Sequence, residues 1–280
     1  MADVSHLGSA TLTFCVFVKL GGSLITDKRH RMTPRLFLIR RLAREMRAAR
    51  DRDPKLSILL GHGSGSYGHW EADRYTTRQG VHTQEQWGGF ARVSAAVLQL
   101  NRLVVDTFVK EGIPIMSLQP AASLRAEDGK ITQMNTANLC SALEHGLVPL
   151  VFGDVAFDGK RGGTIVSTEE IFVHLAKTLR PDRVLLLGNA PGVLGGEHGV
   201  IPEITPESYD QVRHHVRGSG YTDVTGGMAD KVEQMLALVQ EIHGARAWIL
   251  TGREPGNLQL ALLRPERTPG TLIHHPAANP

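Results

Sequence analysis

The sequence predicts an α/β fold with a largely parallel sheet covered by helices on both faces. Two observations predict it. Short, continuous apolar runs alternate with longer segments whose apolar residues recur every three or four positions, the pattern of buried parallel strands joined by crossover helices. Glycine-rich segments directly follow several of those runs, and ligands bind such sheets at the carboxyl ends of their strands. With 280 residues, 41% hydrophobic and 21% charged, the chain is long enough for one compact domain with two lobes. It contains no internal repeat, low-complexity tract or linker.

Taken in order, LTFCVFVKL (residues 12–20) reads as the first buried strand. Residues 34–50 read as a helix with a solvated basic face. KLSILLG (55–61) is a second strand and runs into the loop GHGSGSYGH (61–69). A long helix is expected over 87–111, where Val93, Val97, Leu100, Val104 and Phe108 share one face. IPIMSL (113–118) reads as a strand, DGKITQMN (128–135) as a small hairpin arm and 136–145 as a helix. LVPLVFGDVAFD (147–158) opens with a strand, 168–178 is helical, and RVLLLG (183–188) is a strand. A helix over 227–243 precedes the late strand RAWILTG (246–252), and the tail ERTPGTLIHH adds an edge strand.

The net charge of +3 suits an anionic substrate. The basic residues form no dense block interleaved with aromatics, which argues against a nucleic-acid partner. Cys15 and Cys140 sit in apolar contexts without ligand spacing, so reduced, buried thiols are expected rather than a disulfide or a metal site. The start MADVSHLGSA lacks the basic region of a signal peptide, and no stretch is long enough to span a membrane. A cytoplasmic protein is expected.

Four segments carry candidate chemistry. In KLGGSLITDK (19–28), Gly21, Gly22 and Ser23 can form an anion nest flanked by Lys19 and Lys28, although a strand turn with surface lysines reads the same way. In GHGSGSYGH, Ser64, Gly65 and Ser66 offer donors, and His69, closing the loop, can reach the same anion. His62, beside the strand end, reads as a packed residue. In FGDVAFD (152–158), Gly153 and Asp154 lie at a strand end. Asp154 is expected to orient a lysine or help hold a metal–nucleotide, or else to satisfy a turn. In DVTGGMADK (223–231), Thr225, Gly226 and Gly227 precede a helix carrying Lys231, which is an anion site or a capped helix start. Three anion nests and their lysines around one sheet rim suit phosphoryl transfer, where the protein positions groups and neutralises charge.

These motifs, VKLGGSLITDK, HGSGSYGH, GDVAFD and DVTGGMADK, resemble the successive motifs of the amino acid kinase superfamily. Within it they look most like the isopentenyl phosphate kinases, with fosfomycin kinases as the alternative, because both share a histidine closing the HGxGS[FY]GH motif. The resemblance runs over roughly residues 14–252. It implies a three-layer αβα sandwich, a homodimer, ATP with Mg²⁺, and γ-phosphoryl transfer to a phosphate acceptor. By motif position, Lys19, Gly21, Gly22 and Ser23 would meet the ATP phosphates, and Lys28 would stabilise the transition state. Ser64, Gly65 and Gly153 would line the junction of the substrates, His69 would bind the acceptor phosphate, and Gly227 and Lys231 would contact the nucleotide. The lobe over 14–165 would bind the acceptor and that over 166–275 the nucleotide. Two departures stand out. The family's TDVDG segment is replaced by LGNAPGVL, with Asn189 and Pro191, and Glu169 stands where an Asp is common. An apolar slot for a hydrocarbon tail is expected from Tyr75, Trp87, Val93, Ala96 and Val97.

Overall fold

Strand β1 (Cys15–Leu20) is buried along its whole length and sits at the middle of the sheet. The computed structural model describes residues 15–196, 199–217 and 227–276, so residues 12–14 of the first expected strand lie outside the described part. A four-residue helix α1 (Gly22–Ile25) follows β1, then α2 (Leu36–Arg52) and β2 (Ser57–His62). Next come α3 (Gly65–Tyr75), α4 (Gln84–Lys110), β3 (Ile115–Ser117), and the β4 (Leu124–Glu127) and β5 (Lys130–Met134) hairpin. The middle of the chain forms α5 (Ala137–Glu144), β6 (Val148–Phe152), β7 (Asp154–Asp158), β8 (Gly162–Val166) and α6 (Thr168–Leu179). It closes with β9 (Arg183–Gly188), β10 (Glu203–Ile204), α7 (Tyr209–Arg217), α8 (Met228–Glu241), β11 (Arg246–Thr251), α9 (Asn257–Leu263) and β12 (Thr271–His274).

The main sheet runs β10-β12-β11-β9-β1-β2-β6-β3. Its pairs are parallel except β11 with β12. Chain order departs from β1 in both directions, toward β2 and toward β9, which makes the carboxyl edge beside β1 the switch point where such sheets open a crevice. β1 feeds two cores in alternation, as a period of two requires. Cys15 and Phe17 pack toward α5, α6 and α8, while Val16, Val18 and Leu20 pack toward α2, α4 and α9. The expected helix–sheet–helix layering is thus realised. Among the described residues, no helix is long and apolar enough to cross a membrane.

Several elements differ from expectation for identifiable reasons. Residues 65–75 are helix α3, not the continuation of a loop, because the glycines that resemble a turn begin the helix, with Gly65 at φ 53°. α4 starts at Gln84 rather than 87. Thr83 and Gln86 form a capping box, with the Gln86 N–H donating to Thr83 Oγ1 at 3.2 Å and the Thr83 N–H to Gln86 Oε1 at 3.1 Å. Residues 154–158 leave the main sheet and join a second one, β5-β4-β7-β8. Its β4–β5 hairpin turns on Asp128 and Gly129 at φ 51° and 78°, the left-handed pair that a two-residue hairpin turn needs. β12 is not the sheet's edge, since β10 pairs outside it. The segments forming β8, β10, α7 and α9 carry too short a periodic signal to be read from pattern alone.

Candidate active site

Five adjacent parallel strands leave the sheet at a glycine. β11, β9, β1, β2 and β6 end at or just before Gly252, Gly188, Gly21, Gly63 and Gly153. Lys19, Gly21, Gly22, Ser64, Gly65 and Gly153 lie in or beside the turns of the rim that these exits form. At its centre the turns after β1 and β2 press backbone to backbone. A Cβ on Gly22 would stand 2.5 Å from the Gly65 nitrogen, and one on Gly63 would stand 2.8 Å from the Gly22 nitrogen. The glycines of residues 61–69 therefore serve packing first. Much of the donor capacity of that stretch is also used internally. The Gly63 N–H donates to Leu20 O at 3.0 Å, and those of Tyr67 and Gly68 donate to Ser64 O at 3.2 and 3.3 Å.

Lys19 lies on the α6 side of β1, in register with Phe17, and its side chain is buried. Its Nζ is ion-paired with Glu169 Oε1, in the first turn of α6. That turn is fixed by a second capping box, Ser167 with Glu170. Burial alone would raise the Glu169 carboxyl, but the charges of Lys19 and Lys231 outweigh it and hold the group below its ordinary value. Lys231 sits one turn into α8, with its Nζ donating to the carbonyl of the N-cap residue Gly227 at 3.4 Å. Glu169 thus joins two lysines from opposite ends of the chain. Residues 223–226 of the DVTGGMADK segment lie outside the described residues.

His69 lies in the second turn of α3, not at a loop end, and lines a narrow cleft with Ser64, Gly153 and Asp154. Gly68, Ala72, Val93, Val97 and Ile165 complete its walls. Val93 and Val97 fall where the sequence places them. Ala96 packs in the core under α4 instead, the Tyr75 ring covers Gly89, and Trp87 packs against Phe90 and Phe157. Asp154 does not orient a lysine. It accepts from Val155 N–H at 2.8 Å, Gln119 Nε2 at 3.3 Å and Ala121 N–H at 3.4 Å, and burial raises its carboxyl. The lysine-orienting carboxylate is Glu169, which pattern reading noted only as a departure. The capping signal S-T-E-E was the available clue that this residue faces a helix N-terminus.

His62 is a packed residue, as expected. It is wholly buried, stacks on Phe152 with centroids 5.3 Å apart, and its Nδ1 meets Gly63 O at 3.1 Å. Its Nε2 accepts from Asn101 Nδ2 at 3.3 Å, and Asn101 Oδ1 accepts from Ser117 Oγ at 2.9 Å, so the ring is neutral. Burial drives its pKa down to about 4. Asn189, at the end of β9, donates through Nδ2 to Ser23 O at 2.9 Å and accepts from Arg253 Nε at 2.9 Å. Arg35 Nη1 donates to the same Ser23 carbonyl at 2.6 Å. Asn189 thereby ties the α1 turn to β9 and β11. Lys28 lies in the loop between α1 and α2, and that loop meets the first turn of α3 where the Met32 N–H donates to Ser66 O at 3.1 Å.

Residues 15–251 match the amino acid kinase family over most of the chain. The chain belongs to that family. It is 34% identical over 270 residues to the isopentenyl phosphate kinase of Methanothermobacter thermautotrophicus, covering 92% of this chain and 98% of the relative. It is 34% identical over 251 residues to the isopentenyl phosphate kinase of Haloferax volcanii, covering 87% and 97%. A solved structure of isopentenyl phosphate kinase superposes with a TM-score of 0.79 at 29% identity, over 92% of this chain and 99% of that one. In this amino acid kinase family member the glycine rim, the Lys19–Glu169 pair and the His69 cleft occupy one edge of one sheet.

Proposed function

We propose that this chain is an ATP-dependent isopentenyl phosphate kinase, producing isopentenyl diphosphate and ADP. The observation that carries the reading is the His69 cleft. Its lining is polar at Ser64, His69, Gly153 and Asp154 and apolar along Ala72, Val93, Val97 and Ile165, the two kinds of surface that match a phosphate and a short hydrocarbon tail. The names of the relatives support the same acceptor. Fosfomycin, a three-carbon epoxide phosphonate, would cover less of that apolar wall.

The chemistry needs little from the protein beyond positioning. A phosphomonoester, with a second pKa of about 6, is already an anionic nucleophile at neutral pH and requires no general base. Its oxygen bonds to the γ-phosphorus as the bond to the β–γ bridging oxygen breaks, and ADP leaves. In this reading His69 and Ser64 hold the acceptor phosphate, with Gly65 and Gly153 at the junction. Gly21, Gly22, Ser23 and Lys19 meet the donor phosphates, Lys28 stabilises the charge in transit, and Gly227 and Lys231 hold the nucleotide. Residues 14–165 would hold the acceptor and 166–275 the nucleotide. Mg²⁺ would be carried by the triphosphate, as is usual for nucleotide magnesium, with its oxygen ligands drawn mainly from phosphate and water. A homodimer fits the exposure of Leu98 and Val109 on α4 and of Met116 on β3, and a cytoplasmic location fits the need for ATP.

A coupled ADP-release assay with ATP and Mg²⁺ tests the reading, with isopentenyl phosphate and fosfomycin as rival acceptors. Turnover of isopentenyl phosphate is expected. Turnover of fosfomycin alone would overturn the acceptor and keep the reaction class.

A further inference from the structure

The loop that carries Lys28 is fastened to the helix that carries His69. Ser66, wholly buried in the first turn of α3, meets the loop three times. Its N–H donates to Thr26 Oγ1 at 2.9 Å, its carbonyl accepts from Met32 N–H at 3.1 Å, and its Oγ accepts from Thr33 N–H at 3.1 Å. Thr26 Oγ1 in turn donates to Gly22 O at 2.7 Å, on the phosphate-facing turn. Farther along α3, beyond His69, the buried carboxylate of Glu71 is ion-paired with the loop's Arg31, whose side chain is 57% exposed.

Two features of this fastening argue against a purely structural role. Met32, next to Arg31 and itself bonded to Ser66, holds φ 52°, a left-handed backbone that costs an L-residue about 1–2 kcal/mol and persists only where neighbours impose it. A carboxylate buried to meet an exposed guanidinium is also a poor source of stability, because its desolvation offsets most of the attraction.

We propose that Glu71, acting through Arg31, and Ser66 are positioning residues that hold the Lys28 loop in register with His69. One helix then sets both the transfer lysine and the acceptor-binding histidine. The inference rests on the roles proposed above for those two residues.

The test measures kcat and both KM values for Glu71→Gln, Arg31→Gln, Lys28→Ala and the Glu71→Gln/Lys28→Ala double variant, with ATP and isopentenyl phosphate. Glu71→Gln and Arg31→Gln are each expected to lower kcat about tenfold, as a sub-ångström misplacement does, with both KM values nearly unchanged. In the Lys28→Ala background, Glu71→Gln is expected to change kcat by less than about twofold, since the group it positions is gone. If Glu71→Gln does not fold, Arg31→Gln and its double variant with Lys28→Ala, at an exposed side chain, are read in the same way. Wild-type kcat in the positioning variants, with Lys28→Ala impaired, overturns this inference alone. So does a tenfold loss that persists in the Lys28→Ala background. Wild-type kcat in Lys28→Ala overturns the assigned role of Lys28 and this inference together, and absence of wild-type turnover sinks the proposed reaction with it.

Discussion

Lys19, at the end of β1, and Glu169, at the start of α6, form a buried ion pair 150 positions apart in the chain, and Lys231 adds its charge to the same carboxylate. Removing the carboxylate takes away the counter-charge that Glu169 gives to the buried Lys19 ammonium and to Lys231. Glu169→Gln is therefore expected to lose about 3 kcal/mol of stability, the usual cost of breaking a buried pair, and to lower turnover more than acceptor affinity. Urea denaturation and steady-state kinetics check both. Because the folded-state pKa of Glu169 is held below its ordinary value of 4.5, its stabilising contribution is present above that value and fades as pH falls through the lower one. A stable, fully active Glu169→Gln would show that the lysines are placed by something else.

His62 makes the protein acid-sensitive in a higher window. Its folded pKa of about 4 lies below the ordinary value of 6.5, so the unfolded chain takes up a proton that the folded chain refuses. Stability then falls as pH drops from about 6.5 toward 4, by about 2 kcal/mol between pH 7 and 4.5 from this group alone. His62→Gln should flatten that limb of a plot of urea midpoint against pH. An unchanged slope would assign the acid sensitivity to carboxylates.

His69→Ala is expected to raise KM for the acceptor by roughly tenfold to a hundredfold, the worth of a hydrogen bond to a charged phosphate, and to leave ATP affinity nearly intact. Isothermal titration with a non-hydrolysable ATP analogue separates the two. Equal loss of nucleotide affinity would move His69 to the other subsite.

Gly88 and Gly89 are neighbours in α4 with opposite surroundings. A Cβ on Gly88 meets nothing within 4 Å, while one on Gly89 runs into the Tyr75 ring. Gly88→Ala is expected to stabilise the protein by about 0.5–1 kcal/mol through helix propensity. Gly89→Ala is expected to destabilise it by about 1–3 kcal/mol through overpacking. Thermal melts of the two variants side by side check the contrast.

Val97 borders both Gly68 and the cleft wall. Val97→Phe is expected to fill the apolar end and reduce kcat/KM for isopentenyl phosphate at least tenfold, while ATP binding persists. Comparing isopentenyl phosphate with a shorter alkyl phosphate reads the effect. An unchanged preference would show that the tail lies elsewhere.

The central strands and their glycine exits were legible in the amino-acid order, because continuous apolar runs ending in glycine report only on nearest neighbours along the chain. The same order made Lys19, Lys28, His69 and Lys231 candidates, because each stands in or directly beside a glycine-rich segment. Tertiary structure decided what those glycines and lysines face. Gly63 and Gly65 are set by the approach of Gly22, about 40 positions earlier, and Gly61 by Thr168 and Phe172, about 110 positions later, and no local pattern carries those distances. The choice of Glu169 over Asp154 as partner to the lysines depends on strand register, which sends Lys19 to the α6 face of the sheet, and on β7 leaving for a second sheet. Charge pairing across a sheet rim is a property of the assembled layers, and it exists only once strands from distant parts of the chain lie side by side.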